Sequence, residues 1–179
     1  MIPPLSALPT ADSAPEELVQ IAKHIFTSFN CKINEHTVIN VRKYRNCVFL
    51  SIDPQNNVLY HYETGKLYYG GWKIAPNGEG EKEGHGIEIL PGRYKFKGYF
   101  IYGKKHGVGT LINFDGSAYV GQWKNGMKHG SGRQLDVDGI VYEGEWKEGM
   151  KSGYGKLINS GRLEFEGVFS KGLKNGYGK

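Results

Sequence analysis

One period constrains this chain more than any other feature. Phe96, Tyr119, Tyr142 and Phe165 stand 23 residues apart. Each is followed after two residues by glycine (Gly98, Gly121, Gly144, Gly167) and after four by a second aromatic (Phe100, Trp123, Trp146, Phe169). Seven residues after each stands another glycine (Gly103, Gly126, Gly149, Gly172). Glycine pairs then follow at Gly107/Gly109, Gly130/Gly132, Gly153/Gly155 and Gly176/Gly178. A unit this short cannot bury a face by itself, so neighbouring units must stack into one continuous array.

The spacing inside the unit is that of a strand. Residues two apart share a face, so Tyr119, Gly121 and Trp123 point the same way, and the glycine leaves room for the rings to lean over it. Asn125-Gly126 is a hairpin signal because both residues tolerate positive φ; Tyr102-Gly103, Glu148-Gly149 and Lys171-Gly172 hold the same place. A return strand is expected after each glycine pair, with Leu111, Ile112 and Phe114 in one unit and Leu157 and Ile158 in another. Asp115-Gly116 and Asp138-Gly139 turn the chain into the next unit; later this glycine slips one place, to Gly161. The predicted fold is an all-β repeat array, an elongated single-layer antiparallel sheet of 23-residue hairpin units. With strands about 4.8 Å apart, a unit advances the array by roughly 10 Å.

Tyr68, Gly70 and Trp72 open an earlier unit whose glycine pair, Gly84/Gly86, comes five residues late. The insertion lies within 73–83 and should enlarge one hairpin loop, either as a feature particular to this protein or as an irregular connection. Units thus begin near 68, 96, 119, 142 and 165. At the far end only Lys179 follows the last glycine pair. The final unit is expected to lack its return strand and to leave an open edge. A partner or a second copy could pair there, or further chain could continue it.

The N-terminal third differs. All 27 glycines lie between Gly65 and Gly178. Residues 1–12 read as a flexible Pro/Ala/Ser tail, 13–64 as a helix and strands leading into the sheet, and 65–179 as the repeat array. Ser13 and Glu16 have capping-box spacing with Pro15 in the first turn. Leu18, Ile21, Ala22, Ile25, Phe26 and Phe29 then form an apolar stripe. The resulting amphipathic helix, about 14–29, could dock on the chain's own sheet or on a partner. Segments 37–42, 47–52 and 58–62 read as strands that could begin the same sheet.

At 119–132 the sequence is YVGQWKNGMKHGSG, and at 142–155 it is YEGEWKEGMKSGYG. Both resemble the MORN repeat (membrane occupation and recognition nexus). The resemblance covers 68–179; the copies at 96–109 and 165–178 carry Phe for Tyr and Trp, and the copy at 68–86 departs by its insertion. It implies a groove-bearing β scaffold that organises protein assemblies in cytoskeletal, ciliary or membrane-junction settings. In some similar proteins the repeats accompany a lipid kinase or methyltransferase domain. Nothing in 1–179 resembles those catalytic parts.

The residues themselves carry no catalytic pattern. His106 and His129 share a repeat position that holds Ser152 and Asn175 in later units, which reads as a polar loop position and not a metal site. No nucleophile elbow or His-Glu-x-x-His occurs, and the Gly-x-Gly pairs lie in hairpins rather than between a strand and a helix. No enzyme activity, cofactor or metal is expected. Two cysteines, Cys31 and Cys47, are too few for a disulfide framework or zinc cluster, although one disulfide stays open. No apolar run reaches the roughly 20 residues of a membrane span, and the N-terminus lacks a secretory signal. The expected location is cytoplasmic, in a cytoskeletal, ciliary or flagellar setting where the resemblance applies.

The candidate function is that of a non-catalytic adaptor. Tyr68, Trp72, Phe100, Tyr119, Trp123, Tyr142, Trp146 and Phe169 are expected to form the core or a shallow groove that holds a helix or extended segment of another protein. Residues 65–179 hold 18 basic and 12 acidic residues. Lys105, Lys128, Lys151 and Lys174 recur nine residues after the leading aromatic, and Lys124 and Lys147 form a second pair. The first row could clamp an acidic protein or meet anionic lipid; it could also serve solubility alone. The alternatives are a peripheral membrane module or the targeting module of a larger enzyme. Nucleic acid is not an expected partner. On the groove reading, Trp123→Ala should lose the partner and keep the fold.

Overall fold

The computed structural model describes residues 40–44, 47–51, 57–61, 66–76 and 80–178. These form one 13-stranded antiparallel sheet in which every strand lies beside its sequence neighbours. The strands are β1 (Asn40–Tyr44), β2 (Cys47–Ser51), β3 (Asn57–His61), β4 (Leu67–Ile74), β5 (Gly80–Leu90), β6 (Tyr94–Ile101), β7 (Lys104–Asn113), β8 (Ala118–Lys124), β9 (Met127–Leu135), β10 (Ile140–Lys147), β11 (Met150–Asn159), β12 (Arg162–Ser170) and β13 (Leu173–Gly178). The segment before the repeats thus begins the same sheet. The helix expected over 14–29 lies outside the described residues.

Hairpin chemistry fixes the register. In the β8–β9 turn, Asn125 and Gly126 both have positive φ, 52° and 87°, and Lys124 pairs directly with Met127 across it. This is the two-residue turn whose twist matches that of the flanking strands. The return strand starts at once, which corrects the expectation that it begins after the glycine pair. The pair lies inside the strand. Gly121 faces Gly132 but Trp123 faces Lys128, so β9 carries two extra residues as a bulge. Gly130, with φ of 57°, supplies the left-handed conformation that the bulge needs. For the same reason the last unit has a return strand, β13, paired with β12 through Gly167 and Gly178.

The second glycine of each pair has a steric purpose. Across the sheet Gly70, Gly86, Gly98, Gly109, Gly121, Gly132, Gly144, Gly155, Gly167 and Gly178 stand in register on ten consecutive strands. A Cβ added at Gly132 would run into the ring of Tyr119, and one at Gly155 into the ring of Tyr142. The rings lie flat along this glycine row and seal one face of the sheet. That face carries the core: Tyr68, Trp72, Phe96, Phe100, Tyr119, Trp123, Tyr142, Trp146 and Phe169 are all buried.

In the β4–β5 hairpin, Ile74 pairs with Gly80 beyond Lys73 with Glu81, the counterpart of the last pair in the regular units, Lys124 with Met127. The insertion therefore lengthens both strands as well as the connection. Lys73 bonds Glu83 at 3.0 Å and lies over the Tyr102 ring at 4.2 Å. Glu83 also accepts a hydrogen bond from the Tyr102 N–H at 3.3 Å. The enlarged hairpin is stitched to the next turn.

Candidate functional site

The rings form one unbroken file. From Tyr68 the contacts run to Phe100, Phe96, Trp123, Tyr119, Trp146, Tyr142, Phe169 and Phe165, with centroids 5.0 to 5.3 Å apart and planes at 81° to 89°. Trp72 adjoins Tyr68 at 6.3 Å. Tyr68, Phe96, Tyr119 and Tyr142 each meet the second ring of their own unit and the second ring of the next. Edge-to-face contacts of this kind add about 0.5 to 1.5 kcal/mol each beyond burial. The polar tips are satisfied within the file. Tyr119 Oη donates to the Gln122 carbonyl at 2.9 Å and Tyr142 Oη to that of Glu145 at 3.0 Å. Trp123 Nε1 donates to the Gly109 carbonyl and Trp146 Nε1 to that of Gly132, at 3.2 and 3.3 Å. Burial pushes the Tyr119 and Tyr142 hydroxyls up to about 12.

Trp123 is only 5 % exposed and Tyr142 fully buried. The eight aromatics expected to form a core or groove are therefore packed against one another. Tyr94, Leu111 and Leu157 pack against them, and lysines lie over their faces. Lys128 Nζ sits 4.9 Å from the Tyr119 ring and 4.7 Å from that of Trp146. Lys105 lies over Phe96 at 4.8 Å and Trp123 at 5.6 Å. Lys151 lies over Tyr142 and Lys174 over Phe165, at 5.1 and 5.0 Å. A cation held over a ring face is attracted by its quadrupole, and the lysine stem covers apolar surface on the way. The aromatic row and the lysine row thus share one face. Lys124 and Lys147 are exposed and do not join it.

Sequence reasoning missed two members. Lys82 belongs to the row and lies over Tyr68 at 5.0 Å and Phe100 at 5.4 Å. It stands 14 residues after Tyr68, the usual nine plus the insertion of five, so the register contained the signal. Glu88 is the other. It is 4 % exposed, bonds Lys82, lies 3.6 Å from Lys105 Nζ and accepts a hydrogen bond from Tyr94 Oη at 2.9 Å. Burial pushes the Glu88 carboxyl up, but Lys82, the Tyr94 hydroxyl and Lys105 together outweigh it and hold the carboxyl below its ordinary value. Burial lowers Lys82 and Lys105 despite Glu88, and lowers Lys128 despite Asp136. Further along, Lys128 bonds Gln134, which bonds Asp136, and Lys151 lies 4.0 Å from Asp136.

Among the described residues, no group of three or more His, Cys, Asp or Glu could hold a metal ion, and no helix is long and apolar enough to cross a membrane. The model of the MORN repeat family matches residues 96–118, 119–141, 142–160 and 165–179. A search of curated proteins finds no match to the chain.

Proposed function

From the premise that residues 96–179 are a MORN repeat region, a non-enzymatic protein-interaction module, we propose that the chain is an adaptor holding a segment of another protein along its lysine-capped ring face. One observation carries this reading: in successive units a lysine stands over the same ring position, at Lys82, Lys105, Lys128, Lys151 and Lys174. A partner with carboxylates at matching intervals would meet the ammoniums of Lys128, Lys151 and Lys174 in turn, Lys82 and Lys105 being paired with Glu88. Because the rings are closed against each other, the partner would touch lysines and ring edges and would not insert between rings. The unit that begins at Tyr68 and the strands before it belong to the same scaffold. A cytoskeletal or ciliary setting rests on the resemblance alone, as does a role as the targeting module of a larger enzyme.

The test is proximity labelling with the intact chain in cells, repeated with Lys128→Gln/Lys151→Gln/Lys174→Gln. Loss of a defined set of labelled proteins, with the thermal melt preserved, supports the adaptor. An unchanged set overturns it. A rival reading takes the same row as a contact for anionic lipid. Partial burial of Lys105 and Lys151, with side chains 17 % and 21 % exposed, weighs against a flat membrane surface. Flotation of the chain with phosphatidylserine vesicles, abolished by the triple variant, would favour lipid.

A further inference from the structure

The face opposite the rings is not uniform. Its two outer rows can be followed strand by strand through the register. One row runs Ile87, Lys97, Thr110, Val120, then Arg133, Glu143, Lys156, Glu166. From β9 onward it is self-neutralised: Arg133 bonds Glu143 at 2.8 Å and Lys156 bonds Glu166 at 3.1 Å. Tyr154 Oη adds a hydrogen bond to Glu166 at 2.9 Å. The other row is apolar on nearly every strand, with Ile89, Ile112, Ala118, Leu135 and Val141 in register, and one lysine, Lys95, between Ile89 and Ile112.

Over β4 to β7 the same face opens into a cavity of about 560 Å³ lined by Tyr69, His85, Ile87, Lys97, Val108 and Thr110. It forms where the glycine row leaves the backbone bare. Val108 is 67 % exposed at its margin, and Ile112 and Val120 are 50 % exposed beside it. Lys95 and Lys97 are exposed here, and neither forms an ion pair among the described residues. The acidic groups nearest in sequence register are engaged elsewhere: Glu88 on the ring face with Lys82, and Glu83 with Lys73. The patch therefore combines open aliphatic surface, a concavity and two unmatched cations. Exposed apolar surface rimmed by charge marks an interaction site, and complementary charge selects the partner.

We propose that the β5–β8 region of this outer face docks a short acidic segment of another protein, one that carries at least two large apolar side chains beside at least two carboxylates. The apolar groups cover Val108, Ile112 and Val120 and enter the cavity, and the carboxylates meet Lys95 and Lys97. The paired charges of β9–β12 offer no such excess, so the segment is confined to the N-terminal half of the array. This surface is distinct from the lysine-capped ring face, and either can fail without the other.

The experiment pans a phage-displayed random dodecapeptide library on the intact chain, then measures the most enriched peptide by fluorescence anisotropy. Enriched sequences should combine Asp or Glu with Leu, Ile, Phe or Trp. Lys95→Glu/Lys97→Glu should weaken the peptide at least tenfold, and Val108→Asp by a similar factor, with melting temperatures preserved. Lys128→Gln/Lys151→Gln should leave it unchanged. The charge-reversal pair lies on exposed positions and keeps the test decisive if Val108→Asp disturbs the fold. Enrichment of neutral or basic peptides would overturn the proposal. So would affinity indifferent to Lys95 and Lys97, capture by phosphatidylserine vesicles in place of peptide, or self-association that Val108→Asp abolishes.

Discussion

The expanded unit that begins at Tyr68 and the regular unit that begins at Tyr119 solve the same packing problem with different charge. In both, a lysine covers the leading ring of its own unit and the second ring of the next. In the expanded unit that lysine meets a buried carboxylate, Glu88. In the regular unit the corresponding position is Gln134, a neutral partner for Lys128. In the two units between and after them it is Leu111 and Leu157, which pack against the rings. The ring file and its lysine are thus the constant part, and the residue paired with the leading ring varies from carboxylate through amide to leucine. A buried ion pair is weak evidence of stability, but removing one member is costly because it strands the other.

Loss of a ring from the file should have the largest effect. Trp123→Ala removes a ring that touches Phe96 and Tyr119 and bonds the preceding unit. Its expected cost is about 4 kcal/mol, read from urea melts followed by circular dichroism. This reverses the sequence-based expectation that the variant keeps its fold, because the side chain is closed off from solvent. An intact melt with partner loss would restore the groove.

The variable part comes next. Glu88→Ala leaves Lys82 and Lys105 without their carboxylate and should cost about 3 kcal/mol. Gln134→Leu, which imitates Leu111 and Leu157, should cost at most about 1 kcal/mol. Equal losses in the two melts would show that the carboxylate has no special place in the expanded unit.

A pH series sharpens the same contrast. A carboxyl held below its ordinary value of 4.5 contributes stability that is present above that pH. That contribution disappears as the pH falls through the lower folded value. Wild-type protein should therefore lose stability on acidification below about pH 4.5 more steeply than Glu88→Gln. Parallel curves for the two proteins would remove Glu88 from the acid response.

The smallest effect lies in the turns. Glu148 holds the left-handed position, φ of 51°, that Asn125 holds one unit earlier at 52°. Asparagine tolerates that conformation better than glutamate, so Glu148→Asn should stabilise by about 0.5 to 1 kcal/mol. Asn125→Glu should cost a similar amount. Thermal melts that move neither way would show that neighbouring units already dictate the turn.

The sheet was legible in the sequence because its signals are local: a two-residue turn, alternation across a strand, and glycine where a ring must lie. Bulges were not. Gly107/Gly109 and its counterparts look like turn residues until pairing shows that the strand continues through them. The lysines were legible as a row but not as a lid. Lysine is rarely buried, and only the register of adjacent strands reveals that position nine of one unit lies over rings of two. Glu88 was hidden for a related reason, since its counterparts Leu111, Gln134 and Leu157 share no chemistry. The outer cavity depends on side chains from four strands and has no linear signature.

One class of bond runs in a single sense along the array. The turn glycines Gly103, Gly126, Gly149 and Gly172 donate their N–H groups to the carbonyls of Lys82, Lys105, Lys128 and Lys151. The indole donors run the same way, from Trp123 to Gly109 and from Trp146 to Gly132. In every case the later unit donates and the earlier one accepts. These bonds give the array a polarity along its length. As the chain leaves the ribosome, each finished hairpin already displays the carbonyls that the next will seek, and folding can follow synthesis unit by unit from the N-terminal side.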